Sequence, residues 1–235
     1  MNLRALAVVI LAVLGFTFVC QSQAQPQPSA PMPPVGSGGL KAWLSQTFDE
    51  VYVLPGTDLA AYRKVIIEPT KIEFRRGWRQ YINSTKEPTR WLTQADQDEL
   101  TTDFSAAMTR AFADQLRLKG YEVVDAAGPG VLRLTPVVSE LFLNAPDFKT
   151  AAPTKTFSQD TADATLVLET RDAVSGTVLA RFVDKTTAHE LRLINYTTNV
   201  SNIFWMEALA RQWGTNTVKE FEGPKRVEAS AASRG

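Results

Sequence analysis

Residues 74–81 read FRRGWRQY, and Lys86, Arg90 and Trp91 follow closely. Four guanidinium groups, on Arg75, Arg76, Arg79 and Arg90, are thereby interleaved with the rings of Trp78, Tyr81 and Trp91. An arginine fork matches the geometry of a carboxylate or phosphate, and arginine and the large aromatics dominate binding hot spots. The pattern predicts a binding surface for an anionic glycan, a lipid head group or an acidic partner. The structural alternative has Trp78 and Trp91 folding a loop over a sheet edge while the arginine heads reach water.

Other chemistry is thinly supplied. His189 is the only histidine and Cys20 the only cysteine, so a His/Cys zinc site cannot assemble and a Ser-His-Asp arrangement has at most one candidate base. The sequence holds neither GxSxG nor a glycine-rich phosphate loop, and Gly128-Pro-Gly130 reads as a turn. Asp96, Asp98, Glu99 and Asp103 lack the spacing of a calcium loop. A helix macrodipole accounts for them, at about 0.3–1 kcal/mol each. His189 reads as an ordinary residue at a strand end. No catalytic residue, metal ligand or cofactor is expected, and the expected function is a non-enzymatic binding module. The enzymatic alternative is an envelope hydrolase working through two facing carboxylates, roughly 5–10 Å apart.

The N-terminus predicts where the chain works. Arg4 precedes an apolar run from Ala5 to Val19, too short for a bilayer span of about 20 residues but suited to a signal peptide. Ser22-Gln23-Ala24 places small residues for cleavage after Ala24, which discards Cys20 and yields a periplasmic or secreted protein. The alternative is lipidation of Cys20, giving an outer-membrane lipoprotein component of a transport or assembly complex. The bulky Val19 before the cysteine fits that processing poorly. Cleavage removes one of 25 basic residues and none of 25 acidic ones, leaving 24 against 25. A net charge near −1 argues against nucleic acid as a partner. The partner expected is an anionic envelope component or another envelope protein, with no transmembrane span after leader removal. Asn83, Asn195 and Asn199 begin Asn-x-Ser/Thr triplets, relevant to glycosylation only in a eukaryotic secretory route.

Residues 25–40 are rich in Pro, Gln, Ser and Gly and predict a flexible tether, while 223–235 predict a disordered tail. One globular domain is expected over 41–222. Short β-prone runs at 51–54, 64–67 and 72–74 lead through the basic–aromatic loop to a helix. Thr93 and Asp96 form its capping box and Gly120 stops it. Leu100, Phe104, Met108, Ala111 and Gln115 make its apolar stripe, with Phe112 and Leu116 alongside. Strands are predicted at 121–125, 131–143, 164–169 and 177–185, the last two joined by a tight loop with Gly176 in a left-handed position. Pro136 suggests that its strand is an edge or carries a bulge. A final helix starts near Ser201 with Met206, Ala210, Trp213, Thr217 and Phe221 inward and Trp205 outward. This order predicts an α+β two-layer sandwich, a mostly antiparallel sheet with two helices packed on one face.

Residues 51–83, VYVLPGTDLAAYRKVIIEPTKIEFRRGWRQYIN, resemble the opening of an uncharacterised family of Gram-negative envelope proteins and lipoproteins, domain of unknown function 3313. Val51, Pro55, Gly56, Asp58, Tyr62, Glu68, Pro69, Phe74, Trp78 and Tyr81 carry the likeness. GPGVLRL (128–134), SGTVLAR (175–181) and ALARQW (208–213) extend it over most of 45–222. The resemblance implies an envelope address and a shared fold, and it brings no catalytic residues. Many members are lipoproteins, a habit from which the residues before Cys20 depart.

Overall fold

The computed structural model describes residues 38–143, 162–187 and 199–223, all within one unit of the chain, 35–235. The predicted leader 1–24 with Cys20, His189 and, apart from Gly223, the predicted tail lie outside the described residues. Eight strands appear among those described: β1 (Lys41–Trp43), β2 (Glu50–Val53), β3 (Lys64–Ile67), β4 (Lys71–Phe74), β5 (Glu122–Val123), β6 (Val131–Leu143), β7 (Ala162–Asp172) and β8 (Val178–Thr187). Three helices accompany them: α1 (Trp78–Ser84), α2 (Gln94–Leu118) and α3 (Asn199–Glu222). The sheet order is β1-β2-β8-β7-β6-β3-β5, with β4 also paired to β6.

The α+β class is as expected, but the sheet is mixed. From β1 to β6 all neighbours are antiparallel, and the short β1–β2 and β7–β8 connections suit that arrangement. Beyond β6 the pairs β6·β3, β6·β4 and β3·β5 are parallel. The cause is α2, a crossover that returns the chain to the sheet in its original direction. Pro136 is not on an edge strand. Leu134 accepts the Glu68 N–H on the β3 side, and Pro136, two residues on, faces the same side. There the register passes from β3, ending at Leu134, to β4, starting at Val137. The absent N–H therefore falls at a joint in the ladder. The strand expected at 121–125 shrinks to two residues parallel to β3.

Strand alternation sends Leu132, Leu134 and Val138, Ala164, Leu166 and Leu168, and Ala180 and Phe182 into one core with α2 and α3. α2 begins on its capping box, in which Thr93 Oγ1 accepts the Asp96 N–H (3.2 Å) and the Asp96 carboxylate accepts the Thr93 N–H (2.6 Å). It stops before Gly120 at φ 88°. The inward stripe of α3 is buried as expected. Trp205 is not outward: it is 6% exposed, and Phe204 beside it is 54% exposed.

Two features join α3 to its surroundings. A Cβ added at Gly214 would meet Gln115 Cβ and Cγ at 3.0 Å, so the glycine permits close approach of α2 and leaves Gln115 half-buried. Gly214→Val is expected to destabilise by about 1–3 kcal/mol through overpacking, although glycine is otherwise a poor helix former; an unchanged or raised Tm would contradict this. Beneath the helix, the Asp184 carboxylate accepts Trp213 Nε1–H (2.7 Å) and Thr186 Oγ1–H (3.0 Å). Burial nevertheless pushes its pKa above the ordinary carboxylate value. The folded protein therefore holds this proton more tightly than the unfolded chain, and the associated stability is lost as pH rises through the folded pKa. The Tm of Asp184→Asn relative to wild type is expected to be higher at neutral than at acid pH; a constant difference would contradict the assignment.

Candidate functional site

The segment after β4 is built from beneath. Arg75 N–H donates to the Leu141 carbonyl (2.9 Å), and Gly77 at φ 76° turns the chain into α1. Trp78 is 2% exposed, stacks on Phe74 with centroids 4.1 Å apart, and donates its indole N–H to the Leu143 carbonyl (2.9 Å). Ile82, one turn on, is fully buried. The expected loop thus contains a short helix, and Trp78 is its anchor rather than part of a contact surface. The signal was the apolar pair four residues apart, hidden by the polar residues around it.

Asn83 then closes the following loop. Its Nδ2–H donates to the Leu92 carbonyl (2.9 Å) and its Oδ1 accepts the Leu92 N–H (2.8 Å), so the amide of this triplet has a structural task. A 3-10 turn at Pro88–Arg90 carries the chain round, and Trp91 Nε1–H donates to the Lys86 carbonyl (3.1 Å). Tyr81 and Trp91 remain 51% and 49% exposed. Tyr81 leans on Phe142 at 5.4 Å between centroids.

The four arginines divide. Arg75 bonds Asp163 at 2.5 Å, approaches Glu140 at 3.7 Å and lies 4.9 Å from the Phe142 ring centroid. It is committed within the fold. Glu140 has φ 52°, uncommon for a non-glycine residue, at the bulge where β6 shifts register against both β4 and β7. Arg76 and Arg90 are exposed and Arg79 half-exposed, and none of the three has an ion pair among the described residues. Arg76, Arg79, Tyr81, Arg90 and Trp91 thus lie at the surface of the stapled segment 76–91, Arg79 and Tyr81 on opposite flanks of the buried face of α1, while Arg75 and Trp78 belong to its support.

A second cluster was missed. On the sheet face opposite α2 and α3, Thr135, Glu169, Arg181 and Tyr52 stand in one cross-strand row. Glu68, just past β3, joins it by accepting from Thr135 Oγ1 (3.0 Å) and Arg133 (3.0 Å). Glu169 bridges Arg181 (2.7 Å) and Arg171 (2.5 Å). Charged residues out of phase with the apolar face of each strand were the available signal. Glu68 and Glu169 are two strand spacings apart, roughly 9–10 Å, but arginines occupy both carboxylates.

A cleft of about 430 Å³ at the sheet end is lined by Gly56, Thr57, Asp58, Ala61, Tyr62, Gly130 and Leu179. Asp58 is the one carboxylate in that lining, and it accepts the Ala60 N–H (3.0 Å). No group of three or more His, Cys, Asp or Glu is placed to hold a metal among the described residues. No described helix is long and apolar enough to cross a membrane.

No curated protein matches the chain. Solved structures similar to it include a PelC dodecamer from Paraburkholderia phytofirmans, at 16% identity, covering 69% of this chain and 95% of that one with a TM-score of 0.32. A hemagglutinin homolog from Helicobacter pylori shows 17% identity over 68% of this chain and 82% of its own, TM-score 0.33. A DUF4136 family protein from Bacteroides thetaiotaomicron shows 10% over 78% and 97%, TM-score 0.32. Likenesses this distant assign no role. Residues 38–217, by contrast, match a family model described as a protein of unknown function, DUF3313, and the chain belongs to that family.

Proposed function

We propose that the chain is a non-enzymatic binding module of the cell envelope, exported by its leader, which takes an anionic envelope component or acidic partner on the α1 segment. One observation carries the reading. Every other arginine among the described residues has a carboxylate partner: Arg63, Arg75, Arg110, Arg117, Arg133, Arg171, Arg181 and Arg211. Arg76, Arg79 and Arg90 have none there, and they share one segment with two half-exposed aromatic rings. That segment is fixed from below by Trp78 and across by Asn83, so less ordering entropy is lost on binding.

The test is a pull-down from envelope extract with wild type and Arg76→Gln/Arg79→Gln/Arg90→Gln. Arg75 is left intact because its loss would disturb the fold. Selective loss of a bound component is expected, and equal recovery would remove the segment from consideration. The mass of the mature N-terminus tests the address: Gln25 is expected first, and an acylated Cys20 would replace free export with anchoring.

A further inference from the structure

We infer that the charged group this surface takes is carried on a sugar: an acidic saccharide, whose carboxylate or phosphate meets the guanidinium forks while a ring lies on Trp91 or Tyr81. The inference rests on the reading above and narrows it. Arg76, Arg79 and Arg90, even with Lys86 beside them, stand only at the lower end of the clusters of roughly four to eight basic residues that mark a membrane surface. The whole chain balances 25 basic against 25 acidic residues, so no strong net field draws it to an anionic bilayer. A single oxyanion, by contrast, is held bidentately by one fork.

The apolar groups point the same way. Apart from the two rings, the exposed large hydrophobic residues among those described are Leu44, Leu118, Val174 and Phe204. These sit between β1 and β2, at the end of α2, between β7 and β8, and on α3, so among the described residues the arginine segment has no aliphatic ridge for insertion into lipid. Trp91 has its N–H bonded to Lys86, and what it offers a ligand is aromatic surface. The negative face of such a ring attracts the polarised C–H groups of a pyranose. Exposed rings and guanidinium forks carried on the same segment match a ligand that is apolar on one face and anionic at its rim.

Acrylamide quenching of tryptophan fluorescence provides a local probe. Of five tryptophans, Trp78, Trp205 and Trp213 are buried and Trp43 half-buried, while Trp91 is 49% exposed. The full mature chain is titrated with oligogalacturonate, phosphorylated dextran, neutral dextran, polyglutamate and phosphatidylglycerol vesicles. Protection from quenching by one or both acidic saccharides, absent with neutral dextran and lost at high salt, is expected. The two acidic saccharides separate carboxylate from phosphate as the group read. Arg76→Gln/Arg79→Gln/Arg90→Gln is expected to bind at least about tenfold more weakly, as is Trp91→Ala measured by calorimetry. Binding to vesicles or polyglutamate alone, still dependent on the arginines, would overturn the saccharide inference and leave the anion-binding reading standing. Binding of none of these probes would overturn both.

Discussion

Glu169→Leu is expected to destabilise the domain by about 3–5 kcal/mol, the usual cost of removing one partner from a buried ion pair. The side chains of Arg181 and Glu169 are only 2% and 8% exposed, and their nitrogen and oxygen atoms stand 2.7 Å apart. The carboxylate also serves Arg171 at 2.5 Å. Removing it leaves a guanidinium in the sheet with a principal counter-charge gone, whereas the leucine recovers only a modest apolar transfer term. The double variant Glu169→Leu/Arg181→Met is expected to regain most of the loss, because apolar replacements of similar volume commonly match a buried pair. Urea denaturation of both single variants and the double variant gives the coupling energy directly. Additive losses, or a single variant within error of wild type, would show that the row contributes nothing as an ion pair.

The second large effect is at Trp78. Trp78→Ala is expected to cost about 3–5 kcal/mol, through the stacking on Phe74, the filled core volume and the bond to the Leu143 carbonyl. The consequence reaches the surface. A helix of seven residues has no stability of its own, since isolated helices below about 12–15 residues are marginal. Without the indole beneath it, Arg79 and Tyr81 lose their fixed presentation, and binding is expected to fall along with Tm. Trp78→Phe keeps a ring but strands the Leu143 carbonyl, at about 1–3 kcal/mol, and should retain more binding. A Trp78→Ala protein with reduced Tm but wild-type binding would show that α1 does not shape the site.

The legible parts of the fold were those set by local rules. Thr93 and Asp96 marked the start of α2 and Gly120 its end, because a cap is chemistry within a few residues. The β7–β8 hairpin was equally plain, with Gly176 at φ 70°. The parallel half of the sheet was not, since β4, α2 and β6 meet only after a crossover that no local pattern encodes. The same reason divides the candidate site. Composition marked the basic–aromatic segment, but Asp163, which engages Arg75, lies 88 residues away, so the sequence could not tell the committed arginine from the three without a counter-charge. Trp78 and Trp91 look alike in one dimension, and only the position of β6 puts one under the surface and leaves the other half outside. The Glu169–Arg181 pair is 12 residues apart across a hairpin, and a register count from the turn would have found it.

Whether the α1 segment is the binding face is tested most directly by an amide NMR titration of residues 25–235 with oligogalacturonate. Under the saccharide reading, the largest shifts fall between residues 75 and 92 and disappear in Arg76→Gln/Arg79→Gln/Arg90→Gln. Shifts centred on the cleft at 56–62 or on the charged row through Glu169 and Arg181, with 75–92 unmoved, would contradict it.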